Sequence, residues 1–494
     1  MDLSLLRVDL DEFAEALSRE EYLARAGLKT ESRAAAIRER FPALGSQPVF
    51  EEVRDRARAA TSSEEAWRLR YLSEFLGTAC VEYRVRRLAD RLASAEAAQV
   101  VTVNGERLPF RSVEGRITNE AVRDRRAAIE RARAAAIADQ NDLRREILET
   151  SHDEARRLGF SDYIALCREL SGVDPVALGD LVRPLLGRTQ EMYREVLAWY
   201  LKRWAGTGIG ESARHDLVRV FRAPEFDRLF PPDAIREAAE APLRRMGIDP
   251  LAEGRIRIDA EPRPNKIPRA FVATPRIPHE IILVVRPGGG PDDYAAYLHE
   301  LGHALHFAYT DPGLPVECRR LGDASVSEAF AFLFDGQLRE RAWLKRFLDI
   351  GQPREVLRYT AFHKLCFLRR YVAKLEYELA LPAEGPSGRM AERYRELLFE
   401  AAFVEWPSEQ FLFDLDPFFY SARYLRAWIF EAQLRNLLRD RFDEEWYRND
   451  HTGPFLRGLW REGQRLTLEE LAASLGLGQP TLDPLIAQIA EDLN

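Results

Sequence analysis

Apolar residues recur at three- and four-residue spacing over most of this chain, and the rhythm changes in two places. From the start to about residue 95 the period is helical, as in EEAWRLRYLSEFLGTACVEYRVRRLADRLASAEA, rich in Ala, Leu, Glu and Arg. Residues 99–112 break it: Val-Thr-Val, an Asn-Gly step and Leu-Pro-Phe predict a small hairpin. Helical spacing resumes over about 117–205, and 206–253 reads as short helices cut by Gly and Pro. Three β-branched runs at 256–258, 269–278 and 280–285 then predict consecutive strands, closed by glycines at 288–290 and Pro291. Asp292 or Asp293 is expected to cap a helix that starts near Tyr294, and the rest is helical apart from a loop at 383–388. The expectation is a mainly α protein with one small β-sheet, in two regions. Residues 1–205 form a helical N-terminal region. Residues 206–494 carry a sheet at about 255–287, helices at about 293–309 and 324–340, and an aromatic segment at about 414–430.

Composition narrows the partners. With 494 residues, 46% of them apolar, the chain can bury large cores. A formal net charge of −8 and the lack of a basic patch argue against nucleic acid. The four cysteines, Cys80, Cys167, Cys318 and Cys366, form no CxxC pair and read as reduced thiols. No basic, apolar leader opens the sequence and no run approaches the ~18 apolar residues of a membrane span, so the expectation is a cytoplasmic protein with no membrane partner. Oligomeric state is not legible.

The chemistry concentrates in His299-Glu300-Leu301-Gly302-His303. Histidines four apart share one helix face, so both imidazoles can grip one metal ion, and the glutamate beside them can work on a water at that ion. Catalytic zinc takes three protein ligands and keeps one position open. His306 lies too far along the helix to join His299 on one ion and reads as a hydrogen-bonded support instead. Glu328 is the better third ligand. Pro312-Gly313 and Pro315 let a second helix turn back, and the neighbours of Glu328 are Ala and Phe, so its carboxylate needs a buried partner.

HELGHALH followed by a glutamate 25 residues after the second histidine resembles the thimet-oligopeptidase and oligoendopeptidase (M3-type) family of zinc metallopeptidases. The resemblance covers about 269–428 and implies a two-lobed helical metallopeptidase with a deep central channel, its wall formed by the N-terminal region. It implies one Zn²⁺ per chain on His299, His303 and Glu328, Glu300 as general base, and Asp335 as support to a ligand histidine. Asp416-Pro-Phe-Phe-Tyr420-Ser-Ala-Arg-Tyr424 is similar to the family's tyrosine segment, which implies Tyr424, and after it Tyr420, as oxyanion donors. Zinc peptidases of this clan pair an extended peptide with an edge strand. Here that strand is either 269–272, with Ala270 and Phe271, or 280–285. The chain departs from the family in one respect: no histidine lies between His363 and His451, where members carry one just before the tyrosines.

These features predict a zinc-dependent peptidase that hydrolyses short oligopeptides. One competing reading is an exopeptidase of the same clan, suggested by the Arg423-Tyr424 step and needing a cation such as Arg423, Arg426 or Lys374 for the substrate carboxylate. The other is a catalytically weak, zinc-stabilised peptide-binding protein.

Overall fold

A computed structural model describes residues 2–493. The chain divides into two compact units, each assembled from separated stretches. The first comprises Met1–Ala79, Glu225–Leu357 and Arg426–Gln488, and the second Cys80–Pro224, Arg358–Leu425 and Ile489–Asn494. The units therefore do not follow the contiguous division at 205/206 expected from sequence. The reason is long-range packing: the first helix, Leu3–Arg25, buries Tyr22 against Phe271, Ala273, Ile282 and Val284 more than 240 positions away.

The second unit is helical except for the expected hairpin, β1 (Val100–Val103) and β2 (Glu106–Pro109). Asn104 and Gly105 turn it with φ of 50° and 83°, the left-handed pair that a tight two-residue hairpin demands. The hairpin closes a small core of Val101, Val113, Ile117 and Ile129.

The first unit holds the three-stranded sheet of β3 (Ile256–Asp259), β4 (Phe271–Arg276) and β5 (Glu280–Val284) in the order β3-β5-β4. β5 pairs parallel to β3 and antiparallel to β4, so it is central and buried along nearly its whole length. This removes 280–285 as a candidate edge and leaves β4. Even there the edge is partly occupied: Thr274 donates its N–H to Ser18 Oγ at 2.9 Å, and Arg320 donates to the carbonyls of Thr274 and Pro275.

The helix that follows runs Pro291–Tyr309, three residues earlier than expected. Neither aspartate is its cap. Gly290 (φ 89°) takes that place, Pro291 occupies the first turn where its missing N–H costs nothing, and Asp293 reaches back to accept from Gly288 N–H. Among the described residues no helix is long and apolar enough to cross a membrane. All four cysteines are buried and unbridged.

Candidate metal centre

Two helices of the first unit build the site. The HELGH helix (Pro291–Tyr309) buries Tyr294, Tyr297, Leu298, Leu301, Ala304, Leu305 and Ala308, which leaves His299, Glu300 and His303 half-buried on one face. The Glu328 helix (Ala324–Asp335) is buried from Ser325 to Phe334. Its N-terminus is fixed by Asp323, which accepts from Ser325 N–H at 3.0 Å and takes both guanidinium nitrogens of Arg426 at 3.1 and 2.7 Å. The helices meet at Gly302. A Cβ there would stand 2.7 Å from Ala331 Cα and 2.9 Å from the Phe330 carbonyl oxygen, so only glycine permits this approach.

That approach brings His299, His303 and Glu328 together, with one ligand atom from each within 4.8 Å of the others. Glu328 Oε2 lies 3.4 Å from His299 Nε2 and 3.5 Å from His303 Nε2. A tetrahedral zinc with bonds of roughly 2.0–2.1 Å sets neighbouring donors about 3.3 Å apart, so spacing and donor types fit zinc. The far ring nitrogens are engaged elsewhere: His299 Nδ1 with Asp335 Oδ2 at 3.1 Å, and His303 Nδ1 with Ser327 Oγ at 2.7 Å. Both Nε2 atoms are thereby turned to the centre. Burial opposes a proton on His299, but Asp335 and Glu328 outweigh it and push the imidazolium up to about 10. Burial would raise Glu328, but the two histidines hold it far below the usual carboxylate range.

Glu300 is half-buried, next to His299, and among the described residues no side chain hydrogen-bonds or pairs with it. His306 is placed differently from the expectation of a support to the ligands. It is fully buried, donates from Nε2 to the Gly463 carbonyl at 3.1 Å, and packs edge-on against Phe330. Burial holds its pKa down to about 4. Reading by sequence alone missed Ser327 and Asp323. An Asp directly before an apolar helical run is a capping signal that could have found Asp323, whereas a lone helical serine carries no signal.

Tyr420, Arg423 and Tyr424 belong to the second unit. Tyr420 and Tyr424 begin the helix Tyr420–Phe442, their rings 5.0 Å apart at 71°, and Tyr371 meets Tyr424 edge-on at 5.4 Å. Arg423 sits over the Tyr420 ring at 5.5 Å. The turn before them is strained, with Phe418 and Phe419 in the left-handed region at φ 55° and 51°. Glu378 holds this turn, accepting from Asp416 N–H at 2.7 Å and Ser421 Oγ at 2.5 Å. Lys374 pairs with Asp416 at 2.8 Å, and Arg426 with Asp323 and Glu469, so two of the three cations weighed for a substrate carboxylate are already committed.

Burial raises Glu378 from 4.5 to about 8, Asp416 adding to the effect and Lys374 opposing it. Its folded pKa exceeds its unfolded one, so its contribution to stability is fully present below pH 4.5 and is lost as pH rises through 8. Glu378→Gln cannot ionise, so the wild type should lose stability relative to it by about 1.4 kcal/mol per pH unit across that window. Denaturant midpoints of both proteins at pH 5 and pH 9 check this, and a pH-independent difference between them would refute it.

No family model matches the sequence, and no curated protein does at a significant level. The fold does have solved counterparts. A protein described as an oligoendopeptidase F from Bacillus anthracis superimposes with a TM-score of 0.61 at 16% identity, over 98% of this chain and 84% of the other. PZ peptidase A, solved with an inhibitor, gives 0.64 at 16% identity, over 99% and 96%. A second structure described as oligoendopeptidase F gives 0.61 at 16%, over 100% and 96%. At this identity the likeness establishes the architecture: a helical fold with small sheets, shared over nearly the full chain.

Proposed function

We propose that this chain is a zinc-dependent peptidase of the oligoendopeptidase type, acting on short peptides. The observation that carries the reading is the convergence of His299, His303 and Glu328, with Glu300 next to His299 in the same helix and without a side-chain partner among the described residues, within a fold shared with proteins described as an oligoendopeptidase and a peptidase. His299 Nε2, His303 Nε2 and Glu328 would hold one zinc, with Asp335 orienting His299. When bound, zinc supplies a Lewis acid that acidifies a water and polarises a carbonyl oxygen.

The chain's own groups carry the proton. Glu300 takes it from the attacking water on its carboxylate and delivers it to the nitrogen of the departing amine. The outer side of β4, where Ala270 and Phe271 enter the strand, offers backbone pairing to an extended peptide and therefore tolerates many sequences. Tyr424, with Tyr420 beside it, keeps the part of oxyanion donor on the strength of its motif, and Arg423 that of a substrate contact. The commitment of Lys374 and Arg426 to internal carboxylates favours cleavage within a peptide over trimming from its C-terminus.

Incubation with internally quenched peptides of graded length tests the reading. Internal cleavage should disappear on treatment with a chelator and return with one equivalent of zinc. Cleavage that survives complete metal removal would sink the zinc mechanism, and release of terminal residues alone would turn the assignment to the exopeptidase.

A further inference from the structure

We infer that Ser327 is a positioning residue for the metal centre: its hydroxyl fixes the ring orientation and tautomer of His303. The inference rests on the reading of His299, His303 and Glu328 as zinc ligands and names a residue that the reading does not require. It begins from the proton on His303. The atom of this ring that faces Glu328 is Nε2, at 3.5 Å, and an imidazole nitrogen binds a cation only through a bare lone pair. The single proton of the neutral ring must then sit on Nδ1, and a largely buried N–H needs an acceptor. Ser327 Oγ is 2.7 Å away. Ser327 is 3% exposed, and among the described residues its hydroxyl has no other hydrogen-bond partner. A buried serine in a helix would ordinarily turn its hydroxyl back onto a carbonyl of the preceding turn. This one is spent across the helix interface instead.

The two ligand histidines are supported by different chemistry. His299 is backed by the carboxylate of Asp335, which also has Arg339 within 3.9 Å, whereas His303 is backed by a neutral hydroxyl. All three functions sit on the Glu328 helix. Position 328 supplies a ligand, 327 directly before it orients one histidine, and 335 two turns on orients the other. Ser327 is adjacent to Glu328 and so points about 100° away around the helix, which lets its hydroxyl reach the outer nitrogen of His303 while Glu328 reaches the inner nitrogens. Any displacement of this helix therefore loosens one ligand and the orientation of the other two together.

Ser327→Ala removes the acceptor while raising helix propensity, so the variant should fold. Metal-free wild type, S327A, S327T and H303A are titrated with zinc in competition with a chromophoric chelator, and cobalt(II) is loaded for visible spectra. S327A should bind zinc about tenfold to a hundredfold more weakly, the usual cost of losing a group that orients a ligand histidine. Its cobalt bands should shift, its metal-free melting temperature should fall by no more than a few degrees, the cost of one lost hydrogen bond, and S327T, which keeps the hydroxyl, should restore the affinity. An S327A affinity within twofold of wild type, with H303A binding abolished, would overturn the inference. An S327T affinity as weak as that of S327A would overturn it as well, because the hydroxyl would then not be the active feature. Failure of the wild type itself to bind zinc would instead bring down the ligand reading on which the inference stands.

Discussion

Glu300→Gln is expected to lower kcat on internally quenched peptides by about a thousandfold, in the range for loss of a positioned general base. Its zinc affinity should stay close to that of the wild type. The two halves of this expectation come from different observations. Glu300 follows His299 in the HELGH helix and is half-buried, but it is not among the three residues whose ligand atoms converge, so the proposed mechanism gives it the proton and no part in holding zinc. No side chain among the described residues competes for its carboxylate. Glutamine keeps the volume and the hydrogen-bonding reach but cannot hold the transferred proton, so binding survives while turnover does not. Steady-state kinetics alongside chelator competition separates the two. A variant that kept more than about a tenth of wild-type kcat would remove Glu300 from the proton-transfer step, since such a loss corresponds to only about 1.4 kcal/mol.

The grouping of His299, His303 and Glu328 was readable in part: the two histidines obey a short-range rule, whereas Glu328 rested on the proline breaks, its apolar neighbours and a family resemblance. His299 and His303 are one turn apart, and Asp335 follows Glu328 by two turns, so one face of each helix declares itself. His306 obeys the same local spacing yet points to Gly463, because which side of a helix meets a loop 157 positions later is not written in its period. The same limit explains the sheet. Three consecutive β-branched runs were readable as strands, but the insertion of the last one between the first two is set by a parallel pairing of β3 and β5, and this made β5 central. The hairpin at 100–109 succeeded because Asn-Gly dictates its own turn. The interleaved units were out of reach for the reason the sheet order was: Tyr22 packs on Phe271 and Val284 through contacts no local pattern encodes. The helix start was misplaced by three residues although a Gly-Pro step marked it, since two aspartates just beyond made a competing cap signal.

Gly302→Ala should weaken the centre as much as losing the group that orients a ligand, by a route that touches no ligand atom. In an exposed helix this substitution would stabilise by roughly 1 kcal/mol. Here the new methyl would stand 2.7 Å from Ala331 Cα, 2.9 Å from the Phe330 carbonyl oxygen and 3.1 Å from Ala331 N. All three are backbone atoms, so no rotamer change relieves the clash, and the two helices must separate. Overpacking of this kind costs about 1–3 kcal/mol, which outweighs the helical gain. Separation also carries Glu328 and Ser327 away from His299 and His303, because the contacts at 2.7, 3.4 and 3.5 Å all span the same interface. Zinc affinity should therefore fall by about a hundredfold, at the upper end of what losing a ligand-orienting group costs, since one ligand and two orienting contacts move together. The metal-free melting temperature should drop with it. Chelator competition and thermal unfolding of G302A measure both effects. Wild-type zinc affinity in G302A would mean that the close approach of these helices is not what assembles the site.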